Sequence, residues 1–171
     1  IKRISGGRVT NYLYDHLRAG DYLEVTAPAG NFFVKPKPTR KQHYVMIAGG
    51  SGITPIYSMI GSLLQSEPGS KITLLYANKK SNSIIFKDKL DKWSSQFPAQ
   101  LTVQYFLSAE ENPQQATKGY VTKVSLLKII NQVGNQNLNF YLCGPQIMTA
   151  KLLADLEQLG IQKGQIHQEL F

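Results

Sequence analysis

Two short segments carry residue types whose spacing suits chemistry. The first is Ile47-Ala48-Gly49-Gly50-Ser51-Gly52-Ile53-Thr54-Pro55, an apolar run that enters glycines and then a polar step. Glycine lets the main chain approach a ligand closely. A helix N-terminus offers free N–H groups and a partial positive charge, so a helix starting here would suit a pyrophosphate. Thr54 would add a hydroxyl at the cap, and Pro55 would sit where no N–H is required. The segment is not the G-x-G-x-x-G of the standard dinucleotide fold, and no P-loop Lys follows. A plain Gly-rich strand–helix turn is its other reading. The second segment is Phe140-Tyr141-Leu142-Cys143-Gly144-Pro145, which also leaves an apolar run and enters a helix at a proline. A nucleophilic Cys143 would need a base beside it, and none can be assigned. A single cysteine is more often a small buried hydrophobe.

These segments need strands and helices to position them. Strand one is 43–48. The helix after Thr54 places Ile56, Met59, Ile60, Leu63 and Leu64 on one face. Strand two is 71–77, followed by Phe86, Leu90, Trp93 and Phe97 at helical spacing. Strand three is 101–107, the next helix 122–132, and strand four 138–142. The helix after Pro145 buries Met148, Leu152, Leu156 and Leu159, and a short strand five is 165–170. This alternation predicts an α/β fold: a five-stranded parallel sheet with helices on both faces. Ligands of open α/β sheets sit outside the carboxyl ends of the strands, at the switch point. There the ends of strands one and four would be neighbours.

Residues 1–34 read as β-rich with one short helix, N-capped by Thr10 and running through His16. Residues 21–25 alternate as a strand, and 27–30 form a turn. Lys35-Pro36-Lys37-Pro38-Thr39-Arg40-Lys41 resists helix and central strand alike, which makes it a linker. The expected domains are therefore 1–41 and 42–171.

The 171 residues carry a net charge of +8, from 19 Lys and Arg against 11 Asp and Glu. Residues 1–41 hold 8 basic against 3 acidic side chains, so +5 of the +8 lies there. No zinc-finger, RRM or KH signature accompanies the charge, so a polyphosphate ligand or an acidic partner fits at least as well as nucleic acid. The lone Cys143 excludes an internal disulfide and a cysteine-held cluster within this chain, and it points to a reducing, cytoplasmic compartment. His16, His43 and His167 lack metal-ligand spacing, so no metal is expected. No apolar run approaches the roughly 18 residues that span a bilayer, and no membrane association is expected.

The glycine segment and Cys143-Gly144-Pro145 together resemble the pyridine-nucleotide domain of the ferredoxin–NADP⁺ reductase superfamily. Within it, the chain is similar to flavin reductases of the phenylacetyl-CoA epoxidase type. Tyr76-Ala77-Asn78-Lys79 and Ser83-Ile84-Ile85-Phe86 resemble that subgroup's second-strand segment. Gly6-Gly7-Arg8-Val9-Thr10-Asn11-Tyr12-Leu13 resembles the family's flavin-pyrophosphate motif, and Ala27-Pro28-Ala29-Gly30-Asn31-Phe32-Phe33 the strand closing its FAD barrel. His167-Gln168-Glu169-Leu170-Phe171 resembles the segment ending the nucleotide domain beside the flavin. The family's upstream Arg-x-Tyr-Ser motif is missing. The resemblance therefore implies a β-rich remnant of an FAD-binding barrel followed by an intact ferredoxin reductase-like NAD(P) domain.

The resemblance assigns roles. Gly50, Ser51, Gly52, Ile53 and Thr54, flanked by Gly49 and Pro55, would cradle the NAD(P) pyrophosphate. Ala77, Asn78, Lys79, Lys80 and Ser108 would flank the adenosine half. Cys143, Gly144 and Pro145, with Met148 behind, would line the nicotinamide, Cys143 shaping the site without attacking anything. Glu169 would lie near nicotinamide or flavin, and Phe171 would pack on the flavin side. Arg8, Val9 and Thr10 would meet the FAD phosphates. Lys79 and Lys80 tilt the choice slightly towards NADPH, because Asn78-Lys79-Lys80-Ser81-Asn82 is acid-free, although Ala109 stands where relatives binding NADPH often have Arg. The implied function is hydride transfer from NAD(P)H to FAD, then electron transfer to an iron–sulfur partner, with any [2Fe–2S] domain outside this chain. The rival reading is a non-catalytic basic module that binds phosphate or nucleic acid.

Overall fold

Runs such as His43-Tyr44-Val45-Met46-Ile47-Ala48 are apolar on both faces, which only a sheet covered on both sides can bury. The computed structural model describes residues 3, 5–134 and 137–170 and builds that sheet. Its strands are β1 (His43–Gly49), β2 (Lys71–Asn78), β3 (Leu101–Leu107), β4 (Thr117–Lys118), β5 (Leu138–Gly144) and β6 (Ile166–Leu170). They lie in the order β4-β3-β2-β1-β5-β6, and every pairing is parallel. The sheet thus has six strands where the sequence predicts five. The extra one, β4, is a two-residue exposed edge strand, too short to show any periodicity.

Helices α2 (Ile53–Ser66) and α3 (Lys87–Gln96) cover one face, through Ile56, Ile60, Leu63 and Leu90. Helices α4 (Lys123–Val133) and α5 (Gln146–Gln158) cover the other, through Leu126, Ile130, Leu152 and Leu156. The chain leaves β1 towards β2 and β3, then crosses to β5 on the other side. The switch point therefore falls between β1 and β5. Phe86 and Phe97 flank α3 as its caps and do not extend it. Phe86 takes a left-handed backbone (φ 61) and stacks on Tyr57, which stacks in turn on Trp93.

The chain divides into two compact units, 1–31 and 32–171, so the division falls ten residues before the linker end expected at residue 41. Within the second unit, Phe32 and Val34 pack on the α2–α3 face. The following linker is held by buried Glu67. Its carboxylate accepts from Tyr44 Oη (2.7 Å), Ser70 Oγ (2.6 Å) and the Lys37 amide (2.8 Å), and Arg40 lies 3.6 Å away. These donors satisfy a charge that burial would otherwise penalise. Burial in turn pushes the Tyr44 hydroxyl up to about 12.

The first unit holds α1 (Arg8–His16), capped at its start by Gly7, which places Thr10 inside the first turn and not at the cap. Arg3 bonds Asn11 and pairs with Asp15 across two turns of the helix. The β-rich expectation fails here: among the described residues of 1–31 no strand occurs. In the segment expected as a strand, Tyr22, Leu23 and Val25 are exposed. A strand needs a ladder partner for its N–H and C=O groups, and no described residue of this unit supplies one.

Candidate functional site

The two glycine segments meet at the carboxyl ends of β1 and β5, where Ala48 pairs with Cys143. Beyond β1 the chain makes a tight 3₁₀ turn, Gly50–Gly52, and α2 opens at Ile53. The helix therefore begins one residue before Thr54, with Gly52 as its cap. Thr54 Oγ1 donates to Ser51 O (3.1 Å) and closes the turn. Gly50 needs its glycine for a left-handed φ of 54.

Gly52 has a packing reason to be glycine, beside the ligand approach the sequence suggests. It is buried, and a Cβ there would lie 2.1 Å from the Cys143 carbonyl oxygen and 2.9 Å from the Gly144 amide nitrogen. The turn packs directly on the end of β5, so it is part of the packed interior and not a loop outside the core. Gly49 and Gly144 also touch: a Cβ on Gly144 would come within 3.0 Å of the Gly49 Cα and amide nitrogen. Met148 Cε and Pro145 Cδ close over this glycine pair.

Tyr76, on β2, is fully buried and is not among the site residues the sequence predicts. Its hydroxyl donates to Gly50 O (2.9 Å) and accepts from the Ile85 amide (3.3 Å). It ties the turn after β1 to the segment after β2. Burial pushes its pKa up, so it stays a donor. A hydroxyl in an otherwise apolar run is the only sequence signal for it.

Cys143 is fully buried. Burial pushes its thiol up to about 11, and Glu169 acts in the same direction from its in-register position on β6. The sulfur stays protonated at neutral pH, which fits packing and excludes a standing thiolate. Phe171 lies outside the described residues.

The ends of β2 and β3 are clamped together. Ser108 N donates to Asn78 O (3.1 Å), and Ala109 N to Lys79 O (2.9 Å). Asn78 is only 9% exposed, and its side chain hydrogen-bonds the Tyr76 hydroxyl, which opposes the upward push of burial. Lys79 and Lys80 are exposed and form no ion pair among the described residues. The acid-free turn of the sequence is not acid-free in space. Glu110 reaches it from the loop after β3, and its Oε2 accepts from the Ser81 amide (2.7 Å). A cleft of about 400 Å³ opens beside this turn, lined by Ser81, Asn82, Ile84 and Phe86 among others.

In the first unit, Arg8, Val9 and Thr10 form the first turn of α1. The first intrahelical bond is Asn11 N to Gly7 O, so the three preceding amides have no partner in the helix. Thr10 Oγ1 is shielded from solvent and also lacks a partner. The histidines lie apart: His16 stacks on Tyr12, His43 bonds Thr73 Oγ1, and His167 stacks on Tyr141. Among the described residues no cluster of three or more His, Cys, Asp or Glu could hold a metal, and no helix is long and apolar enough to cross a membrane.

Residues 46–153, which span β1 to α5 and so contain both glycine segments, match the family described as "Oxidoreductase NAD-binding domain". The chain belongs to this family. It is 34% identical over 177 residues to a subunit of 1,2-phenylacetyl-CoA epoxidase of Escherichia coli, covering 100% of this chain and 49% of that protein. It is 33% identical over 171 residues to the ferredoxin reductase component of 3-ketosteroid-9-alpha-monooxygenase of Mycobacterium tuberculosis, covering 100% and 44%. The CS-b5R domains of human Ncb5or in the NAD⁺ form superpose with a TM-score of 0.85 at 27% identity, covering 98% of this chain and 47% of that one. The chain thus spans about half the length of the curated relatives it matches. The nucleic-acid alternative finds no support among these relatives.

Proposed function

We propose that this chain is the NAD(P)H-binding half of a flavin-dependent oxidoreductase that feeds electrons to an iron–sulfur partner in the cytoplasm. One observation carries the reading: the 3₁₀ turn Gly50–Gly52, opening α2, packs against Cys143–Gly144 at the switch point of the sheet. Relatives named as a ferredoxin reductase component and as NADH-cytochrome b5 reductase support the redox class.

The residues fit a dinucleotide. The first turn of α2 presents amides and dipole charge to a pyrophosphate, with Ser51 and Thr54 beside them and Gly49 and Pro55 flanking. Ala77, Asn78, Lys79, Lys80 and Ser108 would take the adenosine half. Gly144, Pro145 and Met148 would line the nicotinamide, and buried Cys143 would set the floor beneath it. Glu169 would stand at the rim of that pocket. Arg8, Val9 and Thr10 would meet the flavin phosphates, residues 1–41 being the last part of the flavin domain and its linker.

Bound nicotinamide and flavin supply the hydride donor and acceptor, and the protein sets their distance and stacking. The neutral Cys143 thiol contributes shape and no charge. Positioning of this kind is worth several powers of ten in rate when reacting atoms are held in contact.

The test is a fluorescence titration of the protein with NADH, beside one with DNA; the chain alone, with only the last part of the flavin domain, should bind FAD poorly and show no turnover. Saturable, salt-tolerant binding of NADH is expected. Absence of nucleotide binding, with salt-sensitive binding to DNA instead, would overturn the reading.

A further inference from the structure

We propose that Glu67 is a positioning residue for hydride transfer: its buried carboxylate fixes residues 35–42 on the nucleotide domain and so sets the point from which the flavin unit is tethered. The inference rests on the functional reading above and concerns how that site is supplied with its flavin.

The segment Lys35-Pro36-Lys37-Pro38-Thr39-Arg40-Lys41 reads as a linker, yet the fold docks it. Glu67 caps the end of α2 and is 0% exposed. Its two oxygens serve different partners. Oε1 accepts from Tyr44 Oη and Ser70 Oγ, on β1 and on the turn into β2. Oε2 accepts from the Lys37 amide and lies 3.6 Å from Arg40 Nη1, both on the linker. Arg40 Nη1 also donates to Tyr44 Oη (2.9 Å) and to Lys35 O (3.2 Å), and the Gln42 amide donates to Ser70 Oγ (2.9 Å). Gly69 leaves room for this docking, since a Cβ there would meet Arg40 O and Lys41 Cγ, each at 3.1 Å. Among the described residues Glu67 is the one carboxylate bonded to or paired with 35–42.

The same stretch of chain begins beside the floor of the site. Phe32 packs on the α2–α3 face, its ring centroid 5.9 Å from that of Tyr141. Tyr141 and Cys143 share that face, two residues apart on β5, so Phe32 lies one side-chain row from the thiol assigned to the nicotinamide floor. The division between the two units falls between residues 31 and 32. Whatever holds 32–42 therefore holds the attachment of the flavin unit. Hydride transfer moves two electrons and a proton from NADH to the flavin and needs the reacting atoms in contact, so a misplacement of about 1 Å can cost about a hundredfold in rate. Nucleotide affinity is a separate matter. Glu67 closes one end of α2 and the Gly50–Gly52 turn opens the other, about 20 Å away along the helix.

Glu67→Gln tests the assignment, because the amide keeps a carbonyl acceptor for Tyr44 and Ser70 and turns a donor towards the Lys37 amide and Arg40. Gln100→Ala is the control: it removes a donor to Glu67 O (2.9 Å) at the same corner and leaves the carboxylate untouched. Amide hydrogen exchange in this chain reports the linker. Stopped-flow reduction of flavin by NADH, in the holo-protein with its complete flavin domain, reports hydride transfer. In Glu67→Gln the Lys37 amide should exchange at least about tenfold faster. The reduction rate should fall at least about tenfold while the dissociation constant for NADH stays within about twofold. Gln100→Ala should move none of the three by more than about twofold. Arg40→Met, on the partly exposed linker side, should show the pattern of Glu67→Gln at smaller size, and it serves if Glu67→Gln does not fold. A Lys37 amide that is not released, a released amide with an unchanged reduction rate, or an equal loss of rate in Gln100→Ala overturns the assignment and leaves the nucleotide reading standing. If the wild-type chain does not bind NADH, both fall.

Discussion

Substituting Gly52 tests the packing of the 3₁₀ turn on β5. In Gly52→Ala the new Cβ would sit 2.1 Å from the Cys143 carbonyl oxygen, 2.5 Å from its carbonyl carbon and 2.9 Å from the Gly144 nitrogen. All three atoms are backbone in a paired strand, so no side-chain rotamer relieves the clash. Overpacking that forces main chain to move lies at or above the top of its usual range, about 3 kcal/mol. With a urea dependence near 2 kcal/mol per molar, the unfolding midpoint should fall by about 1.5 M. Gly49→Ala is the internal comparison. Its Cβ meets Pro145 Cδ at 2.7 Å but also Met148 Cε and Sδ at 2.9 and 3.0 Å, and the methionine can swing away. It should cost less, about 1–2 kcal/mol, and Met148→Ala in the same chain should recover part of that loss. Urea unfolding followed by circular dichroism, with ADP-ribose titration of each folded variant, reads both effects. A Gly52→Ala midpoint equal to wild type would refute the reasoning, because the turn would then be free of β5.

Three other outcomes follow from the same geometry. Tyr76→Phe removes the donor to Gly50 O and the acceptor for Ile85 N, so stability should drop by about 1–2 kcal/mol and ADP-ribose affinity should weaken, by urea unfolding and calorimetry respectively. Glu67→Ala removes the buried acceptor of Tyr44 Oη and Ser70 Oγ, and with it the bond to the Lys37 amide and the pairing with Arg40, and should cost about 3 kcal/mol, more than Ser70→Ala does. Cys143 should resist a disulfide reagent at neutral pH in the native protein and react at once in denaturant. Its folded pKa of about 11 exceeds the ordinary 9.0, so the unfolded thiol loses its proton first and stability falls as pH rises across that window. Cys143→Ala should flatten that part of the decline in a melting-temperature profile against pH.

The layers of the fold were legible because their signals are periodic. Ile56, Met59, Ile60, Leu63 and Leu64 repeat at helical spacing and are all buried on α2, and β3 spans the predicted residues. What stayed hidden is set by contacts between distant residues. Thr117–Lys118 has no pattern of its own and becomes a strand only beside Phe106 and Leu107. The segment 21–25 has strand alternation but no ladder partner. Gly52 looked like a ligand-facing glycine, and only the approach of Cys143 shows what its missing side chain makes room for. The glycine and Cys-Gly-Pro segments could be paired from sequence because parallel topology brings their strand ends together. Tyr76 and Glu110 could not, since Tyr76 reaches Gly50 across 26 positions and Glu110 reaches Ser81 across 29.

The most direct measurement is an amide ¹H–¹⁵N map of the protein titrated with NAD⁺. Binding at the proposed site moves the amides of Gly49 to Thr54, Ala77 to Lys80, Ser108, Cys143 and Gly144 together, with one dissociation constant. Saturable binding that leaves the Gly50–Gly52 turn and Cys143–Gly144 unmoved would contradict the central claim.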